Sequence, residues 1–279
     1  MRKLVLMAFL ALATHTANAQ WVNYKAPGTP RLPDGRPNLA ARAPRAPDGK
    51  PDLSGVWHVQ PNTREEMKKL FGNDVDTIEV PGMEIDTISK YAINIFQDLK
   101  PSDWPVKPAV AEIVARRGDG KPEALPLTYC LPGGLPMSTM LSEVSKIVQA
   151  PGLILIMLEL GGVRQIYTDG RKHVAAAAPS WLGYSVGRWE GDTLVVDTVG
   201  FNGKSWLDLI GHPQSEAMRL IERYRRRDFG HMDIDITIDD PTYYTRPFSV
   251  KVTHELQADD DILEYFCNEN EQDRKRMGL

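Results

Sequence analysis

Residues 220–238 read LIERYRRRDFGHMDIDITI, two alternating runs joined by Asp228-Phe229-Gly230. The register of that hairpin decides which side chains look inward. A three-residue loop with Gly230 in the left-handed position sets Arg223, Arg225 and Arg227 opposite Asp235, Asp233 and His231, a charge-complementary outer face. The other face then carries Leu220, Glu222, Tyr224 and Arg226 with Met232, Ile234, Ile236 and Ile238. A two-residue loop would set arginines against isoleucines and is rejected. The accepted register turns Glu222 and Arg226 toward the apolar side, where an ionised group is costly unless it is paired or used. Both are candidate lumen residues beside Tyr224, and a structural ion pair between them is the alternative to a functional one.

The same short-strand pattern runs from Lys146 onward. Strands are read at Ile147–Gln149, Leu153–Leu160, Val163–Thr168, Gly183–Trp189, Thr193–Val199, Leu220–Arg227, His231–Ile238, Phe248–Glu255 and Ile262–Asn268. Tight turns at Gly161-Gly162, Glu190-Gly191-Asp192, Asp228-Phe229-Gly230 and Ala258–Asp261 join neighbours directly, which implies a meander. Gly55-Val56-Trp57 is similar to the Gly-x-Trp of the lipocalin first strand. The expected fold is therefore mainly β, an antiparallel up-and-down, lipocalin-like barrel. Leu153–Leu160 is apolar on both faces except for Glu159, and a two-residue Gly161-Gly162 turn sets Arg164 across from it. Two buried Glu–Arg pairs in one barrel imply a polar cavity, because a barrel built for stability alone would be filled with apolar side chains.

The chain has 279 residues, 42 % hydrophobic and 25 % charged, which excludes disordered, collagen-like and membrane-embedded proteins. Met1, Arg2 and Lys3, the apolar run Leu4–Ala13 and Ala17-Asn18-Ala19 form a tripartite leader over residues 1–19, so export to the periplasm or outside is expected. Without that leader, 31 basic face 37 acidic residues, a formal charge of −6 that argues against nucleic acid or an anionic membrane as partner. Oligomeric state is left open. Export places Cys130 and Cys267, the two cysteines of the chain, in an oxidising compartment, where a bridge tying the Cys130–Gly134 loop to the last strand is expected.

Residues 20–52 form a proline-rich extended arm. In it Pro33-Asp34-Gly35-Arg36-Pro37-Asn38-Leu39 recurs as Pro47-Asp48-Gly49-Lys50-Pro51-Asp52-Leu53. Residues 53–279 then form one barrel domain with a helical insertion at about 63–117. Thr63 and Glu66 make a capping box ahead of Met67, Leu70 and Phe71. Ile88, Tyr91, Ala92, Ile95, Phe96 and Leu99 share one helical face, and Val106, Ala109, Val110, Ile113 and Val114 mark a third helix. Gly118–Met137 reads as a long loop.

The connection between Val199 and Leu220 carries Trp206, Asp208, His212 and Glu216, and long loops over a barrel mouth usually carry function. His212 and Glu216 could share a metal on a helical turn, but no further histidine completes the set and Pro213 interrupts the turn, so neither metal nor cofactor is expected. Gly183-Tyr184-Ser185-Val186-Gly187 matches a nucleophile elbow, yet a turn and a strand follow where a helix is required. Gly203-Lys204-Ser205 lacks the earlier glycine of a phosphate-binding loop.

The phrases DGKPDLSGVW (48–57), CLP (130–132), YTDGR (167–171), WLGYSVGRWEGDTLVVDTV (181–199), GFN (200–202), WLD (206–208), ERYRRRDFGH (222–231), Asp239–Pro241 and Glu264–Asn270 resemble an uncharacterised family of secreted bacterial proteins. The resemblance spans nearly the whole mature chain and implies one unit, without an established reaction. Gln214 stands where that family's pattern has a second histidine after Gly211-His212-Pro213. The expectation is a protein that takes a small organic molecule, a glycan or an aromatic, in a polar cavity. As an enzyme it would work by carboxylate and histidine acid–base chemistry of hydrolase or lyase type, with Glu222, Glu159, His212 and Asp208 as candidate proton-transfer groups, while Arg226 and Arg164 would hold a polar or anionic group and Tyr224, Trp206 and Trp189 would stack on the ligand. The alternative is a non-catalytic binder of lipocalin type.

Overall fold

A computed structural model describes residues 24–72, 89–118, 125–141, 143–174 and 178–267. The leader, Ile88 and the last residue of the strand expected at Ile262–Asn268 lie outside them. Nine strands close into a barrel: β1 (Gly55–Val59), β2 (Ser145–Ala150), β3 (Leu153–Leu158), β4 (Gly162–Tyr167), β5 (Tyr184–Glu190), β6 (Thr193–Val199), β7 (Arg219–Arg226), β8 (His231–Asp239) and β9 (Phe248–Leu256). Each strand pairs with its neighbour in sequence, and β9 returns to β1.

The expectation of a wholly antiparallel ring is corrected at one place. Strand directions cannot alternate around a closed ring of odd number, so nine strands require a parallel neighbour somewhere. That neighbour is β4·β5, joined by only Ile166↔Ser185 and Tyr167↔Val186, whereas β4 pairs with β3 through six residues. The turn signals could not reveal this, because no tight turn joins Tyr167 to Tyr184 and a parallel join needs a long connection.

The β7–β8 register matches the sequence reading: Arg226↔Met232, Tyr224↔Ile234 and Glu222↔Ile236 face inward, with Arg225↔Asp233 outside. Its glycine has a different reason. Gly230 is not in the left-handed region; instead a Cβ there would lie 2.4 Å from Leu39 Cβ and 2.9 Å from Leu39 Cα. The loop is held by Asp228, whose Oδ1 accepts from the N–H groups of Gly230 and His231. The β3–β4 turn is longer than expected. Leu158 pairs with Gly162 and Ile156 with Arg164, so Glu159 lies in the turn and does not face Arg164.

Leu39 belongs to the arm, which lies across the lower end of the barrel, where the β2–β3, β5–β6 and β7–β8 turns gather. Both repeats form the same tight turn, bridged at Arg31↔Pro37 and Arg45↔Pro51, with Gly35 and Gly49 at φ 86° and 80°. The arginine two residues before each repeat clamps one barrel carboxylate, Arg31 on Asp259 at 2.6 and 2.8 Å and Arg45 on Asp192 at 2.7 and 3.0 Å. Between them Gly230 and Phe229 donate their N–H groups to Leu39 and Ala41. The sequence repeat is thus a repeated anchor.

The helices gather at the upper end: α1 (Arg64–Phe71), α2 (Lys90–Ile93), α3 (Pro108–Gly118) and α4 (Met137–Met140). The Thr63–Glu66 capping box is present at α1. The helix expected through Ile95, Phe96 and Leu99 stops at Ile93, because Asn94 is extended and the Ile95 N–H donates to Asp208 at 2.8 Å instead of continuing the helical ladder. Ala92, Ile95 and Phe96 are buried nonetheless. The segment Leu135–Leu141, including α4, plugs the upper lumen, with Leu135, Met137 and Met140 at 1 % exposure or less. Cys130 and Cys267 are bridged, which points to a compartment outside the reducing cytosol. The partner segment 261–266 is not a strand, so the bridge holds an irregular tail against the plug's approach loop.

Gly230→Ala should force Leu39 off the hairpin and loosen the arm, costing about 1–3 kcal/mol. Trypsin cleavage after the exposed Arg42 is expected to accelerate in this variant. An unchanged cleavage rate would show that the arm is not seated on Gly230.

Candidate functional site

The β4·β5 seam is where the chemistry collects. Arg164 points inward from β4 and crosses the seam. Its Nε donates to Ser185 Oγ on β5 at 3.2 Å and Nη2 to Thr198 Oγ1 on β6 at 2.9 Å. Both terminal nitrogens engage Glu222 on β7, and Nη1 also reaches Tyr224 Oη at 3.2 Å. Tyr224 donates to Glu222 Oε1 at 2.8 Å, and Ser185 and Thr198 share a hydrogen bond at 2.9 Å. Arg164 and Glu222 are 2 % and 0 % exposed, so this is a fully satisfied ion pair in a dry interior. Burial, followed by the neighbouring Glu222 charge, pushes the Tyr224 hydroxyl well above its usual range. Arg164, Glu222 and Tyr224 therefore meet as the sequence suggested, but in a pairing it did not give.

The other expected partners are elsewhere. Arg226 is inward-facing on the same strand as Glu222, yet four strand residues separate them by about 13 Å. It seals the lower end, donating to the carbonyls of Asp52, Ser54, Asp228 and Phe229 and stacking 4.9 Å from the Trp57 ring. Burial lowers its pKa to about 10. Glu159 accepts from the Leu263 N–H at 3.2 Å, outside the lumen. Trp189 lies at the lower end, in a groove it shares with Pro47 and Asp48 of the arm. Ser185, the would-be nucleophile, is buried at the start of β5 and bound to Arg164 and Thr198.

The upper loop forms a second buried cluster. His212 Nδ1 lies 2.6 Å from Asp208 Oδ2, and Asp208 also accepts from the N–H groups of Ile95, Gly211 and His212. The His212 ring meets Phe96 and Trp104 edge-on, at 4.9 and 5.5 Å. Trp206 is buried beneath the guanidinium of Arg117 at 4.6 Å. This dyad pins the upper loop to the segment after α2. Glu216 is exposed and the loop makes no helical turn, so His212 and Glu216 are not brought together as a metal pair. Among the described residues no cluster of three His, Cys, Asp or Glu is placed to hold a metal.

Space is distributed unevenly. The cavity between the plug and the Arg164 network, lined by Ser138, Thr139, Tyr224 and His254, measures about 20 Å³, room for about one water. Outside the seam lies a cleft of about 370 Å³, between the β4 edge and the chain entering β5. Its walls include Val163, Gln165, Tyr167, Trp181 and Tyr184, and Arg164 lines both spaces. Tyr167 and Tyr184 are 5.4 Å apart at an interplanar angle of 31°, and Arg171 stacks 3.8 Å over Tyr167. The sequence reading did not single out these aromatics. They occur in the YTDGR and WLGYSVG phrases, but only the parallel seam brings them together.

Two buried titratable groups flank this region. Burial raises Glu143 to about 7; its Oε1 accepts from the Leu160 N–H at 2.5 Å. Burial lowers His254 to about 4, with Nε2 2.8 Å from the Thr139 carbonyl. Glu143 holds its proton better folded than unfolded, so its contribution to stability is lost as pH rises from about 4.5 to about 7. His254 holds its proton less well folded, so its contribution is lost as pH falls from about 6.5 to about 4. Relative to wild type, Glu143→Gln should gain stability as pH rises through the first window, and His254→Gln as pH falls through the second. Slopes of up to about 1.4 kcal/mol per pH unit are expected in denaturant unfolding. Curves parallel to wild type would contradict the assignment.

No family model, curated protein or solved structure matches this chain, so function is read from the chemistry of the seam itself.

Proposed function

We propose that the chain is an exported, non-catalytic binding protein that holds a small organic molecule with an aromatic or sugar ring in the seam cleft. The observation that carries this reading is the convergence of Tyr167, Trp181 and Tyr184 on a cleft of about 370 Å³, where the lumen offers about 20 Å³. Ring faces of this kind stack on planar or sugar ligands, and Gln165 and Ser180 at the same walls supply hydrogen-bonding groups. The carboxylates and histidine expected to move protons have other tasks. Glu222 is consumed by Arg164, Asp208 and His212 fasten the upper loop, and Glu159 holds the tail. The barrel would thus serve as lipocalin-type barrels do, with the ligand entering through the wall instead of the mouth. The leader, the disulfide and the resemblance to secreted bacterial proteins support a periplasmic or extracellular setting.

A thermal-shift screen of phenols, aromatic acids and oligosaccharides, with mass spectrometry of the retained compound, tests the proposal. Hits should be recovered unchanged, and Tyr184→Ala should weaken them by about tenfold or more, the loss expected for a stacking aromatic. Ligands indifferent to Tyr184→Ala would remove the cleft from the reading, and a chemically altered ligand would restore an enzyme.

A further inference from the structure

Resting on the cleft as the binding site, we infer a second class of ligand for it beside ring compounds: a short, uncharged, extended peptide that adds to β4 as an extra strand. Three observations converge. First, β4 is paired along its whole length with β3, but on the β5 side only Ile166 and Tyr167 have partners. Gly162–Gln165 therefore present one edge to the cleft. In an antiparallel ladder alternate residues direct their N–H and C=O groups away from the paired neighbour, so this edge offers donors and acceptors in strand spacing. A sugar or a phenol would satisfy such groups one at a time; a peptide backbone satisfies them in sequence.

Second, the charge of the cleft fits a neutral segment. Among the described lining residues Arg164 is the charged one and Glu222 neutralises it, and Arg171, stacked over Tyr167, is paired with Asp169. Third, the walls suit apolar side chains. Trp181, Leu182 and Tyr184 face the edge, and Val163 on β4 is 51 % exposed. Pro132, two residues after the half-cystine Cys130, adds a further apolar lining residue. A bound strand would alternate its side chains between these walls and solvent while its backbone continues the barrel's own ladder.

The test uses the intact mature protein, with backbone amide shifts of Gly162–Gln165 and the Trp181 indole followed by NMR. Three probes are titrated: acetyl-Val-Thr-Val-Thr-amide, the same peptide with alternate amides N-methylated in each of the two registers, and phenyl β-glucoside. N-methylation keeps the side chains and removes backbone donors. The inference expects the parent peptide to shift the β4 amides and one N-methylated register to bind about tenfold more weakly or worse. Equal affinity for parent and both N-methylated peptides would overturn it, because the contact would then run through side chains alone. A shift by phenyl β-glucoside without any by the peptide would overturn the peptide class and leave the binding reading intact. No shift with any probe would remove both.

Discussion

The Arg164–Glu222 pair is the constraint on which the barrel rests. A ring of nine strands must contain a parallel join, and here that join carries two residue pairs, too few to hold a wall by backbone hydrogen bonds alone. One guanidinium makes good the deficit, reaching from β4 to groups on β5, β6 and β7. Five donors in a rigid plane suit arginine to that task, and a lysine could not span the same partners. The neighbours Ser185, Thr198 and Tyr224 complete its shell, so the desolvation of two charges is offset by hydrogen bonds on every side.

Because the pair closes the seam from inside, the outside is left open. The backbone is missing where the side chain substitutes for it, and the cleft occupies that gap. The two ends of the barrel are shut by unrelated means: a repeated Arg–Asp anchor and the carbonyl-bound Arg226 below, a buried plug and the Asp208–His212 dyad above. With both ends closed and a lumen of about 20 Å³, the wall is the opening through which the cleft reaches Arg164. The closed seam and the cleft outside it thus have one origin.

Much of this was legible in the sequence, and the failures have physical reasons. Eight strands and the hairpin register followed from alternation and turn chemistry, which are local. Glu222, Tyr224 and Arg164 were recognisable as inward polar residues because ionisable groups on an apolar face need a reason to be there. Their partnership was not legible, since it joins strands separated by the parallel seam. Arg226 looked like a partner for Glu222 because period-two patterning reports the face and not the distance along it. Gly230 was read from turn statistics, whereas its constraint comes from Leu39, nearly two hundred residues away. Ile95–Leu99 kept a helical pattern that the Asp208 carboxylate overrides. The aromatics lining the cleft were the least visible, because nothing local distinguishes Tyr167 or Tyr184 from an ordinary strand tyrosine.

A double-mutant cycle on the seam is the most direct test. Arg164→Met and Glu222→Met each leave a buried charge unpaired and should each cost about 3–5 kcal/mol in denaturant unfolding. The double variant removes both charges together and should lose far less than the sum of the two, a coupling of at least about 2 kcal/mol. Additive losses, or singles that cost less than about 1 kcal/mol, would show that the seam is held by something else.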